Sequence, residues 1–233
     1  MIFYGFQKMT LLDYPGKVAC TLFTGGCNLR CPFCHNAGLV TELAQVEENS
    51  LIRDGEVLTF LKKRQGLLDG VCITGGEPLL QKELPAFLRS VRSLGYPVKL
   101  DTNGTFPDRL RALVEEGLVD YVAMDIKNSP AKYAMTAGVP NLELMPIKQS
   151  VAYLLEGHVD YEFRTTVLND YHTPEDISAI AAWISGASRY FIQNFEDSGH
   201  LLRPGLRPLP REALESLRTA AEAGGLTVSL RGV

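Results

Sequence analysis

The strongest constraint on the fold of this chain is a repeating alternation. From Val71 onward, short apolar runs rich in β-branched residues are each followed by a stretch with apolar residues at helical spacing. Residues 71–74, 98–101, 119–126, 161–168 and 190–195 read as strands. Residues 80–94, 107–116, 147–156 and 174–185 read as helices, the last opening on Pro174, which suits a first helical turn. Upstream, residues 18–24 read as one more strand and residues 51–63 as a helix. Repeated strand–helix units imply parallel strands joined by right-handed crossovers. Counting residues 18–24 first, the six units predict an α/β fold, a partial (β/α)6 TIM-like barrel.

The 233 residues fit one domain, since α/β barrels of this length commonly stay undivided. We read residues 1–17 as a turn-rich lead-in and 18–195 as the barrel core. Residues 37–50 read as a polar surface connection, and 196–233 as an extension carrying a helix at 211–223 and a strand at 226–230. A net charge of −4 gives no electrostatic case for nucleic acid. No apolar run approaches the roughly 20 residues that span a bilayer. The first residues do not resemble a secretory signal, so a cytoplasmic, membrane-free location is expected. The five cysteines fit a reducing compartment, because three of them crowd into one short motif rather than a disulfide framework.

That motif follows the first strand. Residues 24–36 read T-G-G-C-N-L-R-C-P-F-C-H-N, so Cys27, Cys31 and Cys34 can wrap three thiolates around one small inorganic object. A structural zinc site is the first rival, but it closes with four ligands, commonly in two separated pairs, and no second pair follows. His35 stands beside Cys34 and would have to fold back on the same turn to ligate, so backbone and shape are its expected contribution. A [4Fe–4S] cluster usually takes four cysteines, and three leave one iron open to another ligand.

In parallel α/β architectures ligands gather at the carboxyl ends of strands. The second strand ends in Thr74-Gly75-Gly76-Glu77-Pro78, where two glycines let backbone approach a ligand and Glu77 can accept from an ammonium. The third ends in Asp101-Thr102-Asn103-Gly104 and the fourth in Asp125-Ile126-Lys127. The bland account makes these turn formers and a surface pair. Against it, they close consecutive strands and should share one mouth. Arg164 is awkward inside an apolar strand unless it faces a polar interior, where it can clamp a carboxylate. Gln193 could read a nucleobase or make a core hydrogen bond. Cys20 and Cys72 read as core, and His158, His172 and His200 as surface or satisfied core.

The cysteine triplet with Phe33 before its last member resembles the signature of the radical S-adenosylmethionine (SAM) superfamily. The C-H-N continuation, G-G-E-P, D-T-N-G and D-I-K, in that order, resemble the glycyl radical enzyme activases. The lead-in T-L-L-D-Y-P-G-K and V-A-C-T-L-F-T-G-G-C are most similar to the branch of anaerobic ribonucleoside-triphosphate reductase activating proteins. This resemblance implies one [4Fe–4S] cluster on Cys27, Cys31 and Cys34, with SAM on the open iron. It implies that the backbone from Phe33 through His35 to Asn36 meets the adenine and that Gly75, Gly76 and Glu77 hold the amino end of SAM. Lys127 and Arg164 would meet its carboxylate or ribose. A monovalent cation would lie by Asp101, Thr102 and Asp125, with Asn103 in the same mouth. The implied partners are a glycyl radical enzyme and a flavodoxin or ferredoxin.

Departures from the family pattern accompany the match. Asp13-Tyr14-Pro15-Gly16-Lys17 stands where many activases read D-G-P-G-x-R, and the extra ferredoxin-like cysteines of some members are missing. Gln193-Asn194-Phe195-Glu196 stands where relatives carry a histidine, which leaves the adenine contact there and the partner open. Two rivals remain. One is a radical SAM enzyme acting on a small molecule, of the kind that makes 7-carboxy-7-deazaguanine, against which the D-T-N-G and D-I-K pair argues. The other is an iron–sulfur electron carrier, which has no use for G-G-E-P and Lys127 around an open iron.

Overall fold

The computed structural model describes residues 1–197, 199 and 201–232. In chain order the elements are β1 (Ile2–Phe3), β2 (Gly5–Thr10), β3 (Ala19–Thr24), α1 (Gly38–Thr41), β4 (Ile52–Arg53), α2 (Asp54–Lys63), β5 (Gly70–Gly75), α3 (Leu84–Ser93) and β6 (Val98–Thr102). There follow α4 (Pro107–Glu115), β7 (Tyr121–Asp125), α5 (Tyr133–Ala137), α6 (Met145–Leu155), β8 (Asp160–Val167), α7 (Pro174–Trp183), β9 (Tyr190–Asn194), α8 (Arg211–Ala223) and β10 (Val228–Arg231). No helix among the described residues is long and apolar enough to cross a membrane.

Eight strands form one sheet in the order β10-β9-β8-β7-β6-β5-β3-β2. All neighbours are parallel except β2, which runs antiparallel to β3 along one edge. The partial barrel read from the alternation is present, and three parts of it differ in detail. The lead-in is partly strand, because Gly5–Thr10 pairs with β3 and β1 pairs with β4. Residues 127–146, which carry no clear period, hold the short helix α5. The C-terminal strand lies parallel on β9, so a seventh parallel strand joins the six.

Two chemically opposite faces follow from the period of two along each strand. One face carries Val71, Ile73, Val98, Leu100, Val122, Met124, Phe163 and Ile192, each fully buried. These form one cluster with Phe87, Leu88 and Val91 of α3, Leu110 and Leu113 of α4, Ile147 and Val151 of α6, and Ile177 and Ile180 of α7. Each such side chain contributes roughly 1.5–3 kcal/mol by leaving water, so the sheet-to-helix layer is the core.

The other face is polar. Thr21 pairs in register with Cys72, Cys72 with Lys99, Asp101 with Ala123, and Asp125 with Arg164. Glu162 joins them, 1% exposed, accepting from the Tyr121 hydroxyl at 2.9 Å and from Arg231 on β10 at 3.1 and 3.2 Å. This is the polar interior that Arg164 required.

Candidate active site at the strand ends

The loops after β3, β5, β6 and β7 enclose a cavity of about 260 Å³. Cys27, Cys31 and Cys34 border it together with Phe33, His35 and Asn36. Gly75, Gly76, Asp101, Thr102, Asn103, Asp125, Lys127, Arg164 and Gln193 complete the wall. Of the residues expected to hold the cluster or SAM, Glu77 alone is missing from that wall.

The cysteine loop is held from several sides. Cys34 N–H donates to the Cys31 carbonyl at 3.0 Å, which closes the turn between the last two cysteines. The Arg30 side chain donates to the carbonyls of Cys27 and Leu29 at 2.6 and 2.8 Å. Arg30 N–H reaches the Ala137 carbonyl at the end of α5 at 2.9 Å. Gly138 caps that helix at φ +68°, and a Cβ there would lie 2.0 Å from the Arg30 carbonyl oxygen, so only glycine lets the two backbones meet. Asn103 bonds Asn28 Oδ1 at 3.0 Å and lies 3.8 Å from Cys27 Sγ, so it stitches the D-T-N-G turn to the triplet.

Burial pushes the Cys31 thiol up to about 11, partly opposed by the charge of Lys127, and raises Cys27 and Cys34 as well. Cys20 and Cys72 are fully buried, as expected of core thiols. The His35 ring packs edge-to-face on Phe195 with centroids 5.8 Å apart, and burial lowers its pKa. Asn36 Nδ2 donates to the Gly75 carbonyl at 3.0 Å, linking the cysteine loop to the second motif.

The glycines of G-G-E-P border the cavity and also let two backbones pack against each other. A Cβ on Gly75, at φ +117°, would lie 2.3 Å from Thr24 N, and one on Gly76 would lie 1.9 Å from the Gly26 carbonyl oxygen. Close approach of two backbones requires them. Gly76 N–H and Glu77 N–H donate to the carbonyls of Thr24 and Gly26 at 2.9 and 2.8 Å, continuing the β3–β5 pairing into the loops.

Glu77 also departs from its expected role as a direct contact of an ammonium. It is 0% exposed and accepts from Leu79 N–H at 3.0 Å, the Thr102 hydroxyl at 2.9 Å and Asn103 N–H at 2.7 Å. Burial pushes its carboxyl up to about 7 although those three donors pull it down. Its carboxylate ties the loop after β5 to the loop after β6.

Five charged side chains form a ladder across the cavity floor. Lys99, 2% exposed, pairs with Asp101 Oδ1, and Arg164 Nη2 lies 3.2 Å from Asp101 Oδ2. Arg164 Nε donates to Asp125 Oδ1 at 2.6 Å, and Lys127 Nζ to Asp125 Oδ2 at 2.9 Å. Burial alone would raise both carboxyls, but Arg164 with Lys99 holds Asp101, and Arg164 with Lys127 holds Asp125, below the usual range. Burial likewise works against the charge of Lys99 and Lys127, and Asp101 and Asp125 outweigh it.

The Lys127 backbone is anchored by His172. Nδ1 of that ring accepts from Leu168 N–H at 3.4 Å, so Nε2 carries the proton and donates to the Lys127 carbonyl at 2.9 Å. His172 is the satisfied core residue expected, and burial keeps it neutral by lowering its pKa. Exposed His158 stacks on Tyr153, and His200 lies outside the described residues.

Residues 21–184 match the Radical SAM superfamily model. The chain belongs to that superfamily. A protein of Methanocaldococcus jannaschii, provisionally named a glycyl-radical enzyme activating enzyme, is 34% identical over 82% of this chain and 79% of its own length. A 7-carboxy-7-deazaguanine synthase of Thermoplasma acidophilum is 27% identical over 76% of the chain and 79% of its own. Among solved structures, a domain of the pyruvate-formate lyase-activating enzyme from Bacteroides vulgatus superposes with a TM-score of 0.58 at 18% identity, covering 70% of this chain and 99% of that one. That last likeness supports the fold, a mostly parallel sheet of the radical SAM kind.

Radical SAM enzymes use a [4Fe–4S] cluster and SAM, and the donor set here fits both. Three thiols border the cavity, no fourth cysteine competes for the remaining iron, and a cationic floor faces the place a carboxylate would take. The monovalent cation fits less well. All four oxygens of Asp101 and Asp125 already face Lys99, Arg164 or Lys127, and the Thr102 hydroxyl donates to Glu77 and accepts from Gly104 N–H. Among the described residues no third Asp, Glu, Cys or His converges there to hold an ion.

Lys99, Gly138 and His172 belong to this site and were missed by the motif reading. Lys99 was the most accessible, because it lies two positions before Asp101 and so on the same face of the strand. Gly138 and His172 act through backbone contacts between distant segments, for which the sequence carries no local signal.

Proposed function

We propose that this protein activates a glycyl radical enzyme, with an anaerobic ribonucleoside-triphosphate reductase as the partner and a flavodoxin or ferredoxin as electron donor. The reading is carried by one observation: the cysteine triplet, G-G-E-P, D-T-N-G and D-I-K line a single cavity. Its support in sequence is the 34% identity to the M. jannaschii protein of that name. When bound, the cluster and SAM supply an electron and, from SAM, methionine and a 5'-deoxyadenosyl radical able to take hydrogen from a glycine α-carbon.

The chain's own residues bind, orient and shield. Cys27, Cys31 and Cys34 would hold the cluster. The backbone of Gly75 and Gly76 borders the cavity and receives the amino end of SAM, whereas the Glu77 carboxylate shapes that turn from behind. Lys127 and Arg164 meet the carboxylate with charge already fixed in place, so little reorganisation accompanies binding. Phe33, His35, Asn36 and Gln193 line the wall for the adenine. Gln193 lines the cavity beside Thr166, its partner in register on β8, and its side chain has no hydrogen-bond partner among the described residues. The rigidity of this wall matters because hydrogen transfer needs near-contact geometry.

The test is to mix the reduced, cluster-loaded protein and SAM with candidate partners under argon. The expected result is a glycine-centred doublet in electron paramagnetic resonance with the ribonucleotide reductase. Formation of 5'-deoxyadenosine without that doublet would reject the reductase as partner. Absence of 5'-deoxyadenosine would reject the activase reading itself. The Thermoplasma relative favours a second reading, and formation of 7-carboxy-7-deazaguanine in a separate assay that supplies its small-molecule precursor in place of a partner protein would establish it instead.

A further inference from the structure

We propose that Lys99 and Arg164 are the resident counter-ions of the two motif aspartates, so that this protein binds SAM without a bound monovalent cation. The proposal rests on the reading of the cavity as a SAM site, and deepens it by stating what balances charge on its floor.

A cation beside a pair of carboxylates needs free oxygens and an excess of negative charge. Neither is present. Asp101 gives Oδ1 to Lys99 and Oδ2 to Arg164, and Asp125 gives Oδ1 to Arg164 and Oδ2 to Lys127. Arg164 is the bridge, reaching both aspartates through different nitrogens from the strand paired with β7. Three cations against two anions leave one positive charge over. An added cation would meet that surplus, whereas an incoming carboxylate is attracted by it.

Lys99 decides the balance. Without it, Asp101, Asp125, Arg164 and Lys127 sum to zero and Asp101 Oδ1 faces the interior with no cation. Lys99 is almost wholly buried, with Cys72 Sγ 3.9 Å from its Nζ and Asp101 as its ionic partner. A lysine is rarely held so deep unless paired, and this one is placed to complete the coordination of an aspartate that its neighbours leave half satisfied. Lys99 does not line the cavity and is a positioning residue: it fixes Asp101, which aims Arg164.

The experiment measures SAM affinity of the cluster-loaded full chain by equilibrium dialysis in potassium, sodium and choline chloride at one ionic strength. Affinity should agree within about twofold across the three salts, and a tightening of about tenfold or more in potassium or sodium would overturn the proposal. Lys99→Met should bind weakly in choline and regain affinity in potassium or sodium, while Lys99→Arg should stay indifferent to the salt. A Lys99→Met protein that binds equally in all three would remove Lys99 from the role. If that variant does not fold, the salt series on the native protein still decides. Should the native protein bind no SAM in any salt, the SAM reading falls. Its melting temperature then decides the ladder separately: equal values in potassium and choline support it, and a rise confined to potassium or sodium refutes it.

Discussion

At the scale of single residues, the site divides into groups that would hold a cofactor and groups that hold those groups. Cys31 is of the first kind and Cys20 of neither, although both are buried thiols. Cys31→Ala should lose the cluster and SAM cleavage together, whereas Cys20→Ala should keep both, as iron and sulfide analysis would report. His35→Ala should retain full iron, and a loss of about one iron per chain would contradict the packing role that its contact with Phe195 gives it. Glu77 is of the second kind and leaves a mark on stability. The unfolded chain releases its proton near 4.5, while the buried carboxyl holds it to about 7. Over that window the folded state binds more protons, so the contribution of Glu77 to stability is full below 4.5 and falls by about 3 kcal/mol as pH rises to 7. Denaturant titrations of Glu77→Gln and the native protein should differ in slope across that window. Parallel pH profiles would show that the carboxyl is ionised throughout.

At the scale of elements, the cysteine loop depends on a helix that no motif announces. The five residues of α5 end at Gly138, whose missing side chain lets the helix end touch Arg30. Gly138→Ala combines a left-handed φ with a 2.0 Å contact against backbone, so about 1–3 kcal/mol of stability should be lost. Because the displaced contact is Arg30, between Cys27 and Cys31, iron retention during dialysis should fall further than the melting point implies. Equal iron retention would mean that the loop does not lean on α5. The alternation of strands and helices was legible because tertiary packing and local period agree there, as at 211–223, where the helix occupies the expected residues. Gly5–Thr10 was illegible for the opposite reason. It is an edge strand with exposed Gln7, Lys8 and Met9, so its pairing with β3 is written in no hydrophobic period.

At the scale of the whole molecule, the sheet inverts the usual assignment of inside and outside. Its apolar face lies against the helices, and its enclosed face carries Lys99, Asp101, Glu162 and Arg164. The motifs located the cavity because each stands at the end of a parallel strand, a position fixed by architecture. They could not give the roles within it. Asp101, Asn103 and Glu77 read as ligand contacts from their neighbours in sequence, but they also bond residues of other segments, Arg164, Asn28 and Asn103 respectively, and partners that far apart along the chain leave no local trace. The double glycine carries the same lesson further. Since Gly75 and Gly76 are demanded by the backbone of residues 24–26 as well as by the cavity they border, loss of the sulfur atoms and of the chemistry would not by itself release them from closing the first two loops. A genome search keyed on that pair would therefore collect silent relatives alongside working enzymes, and only the thiols would tell them apart.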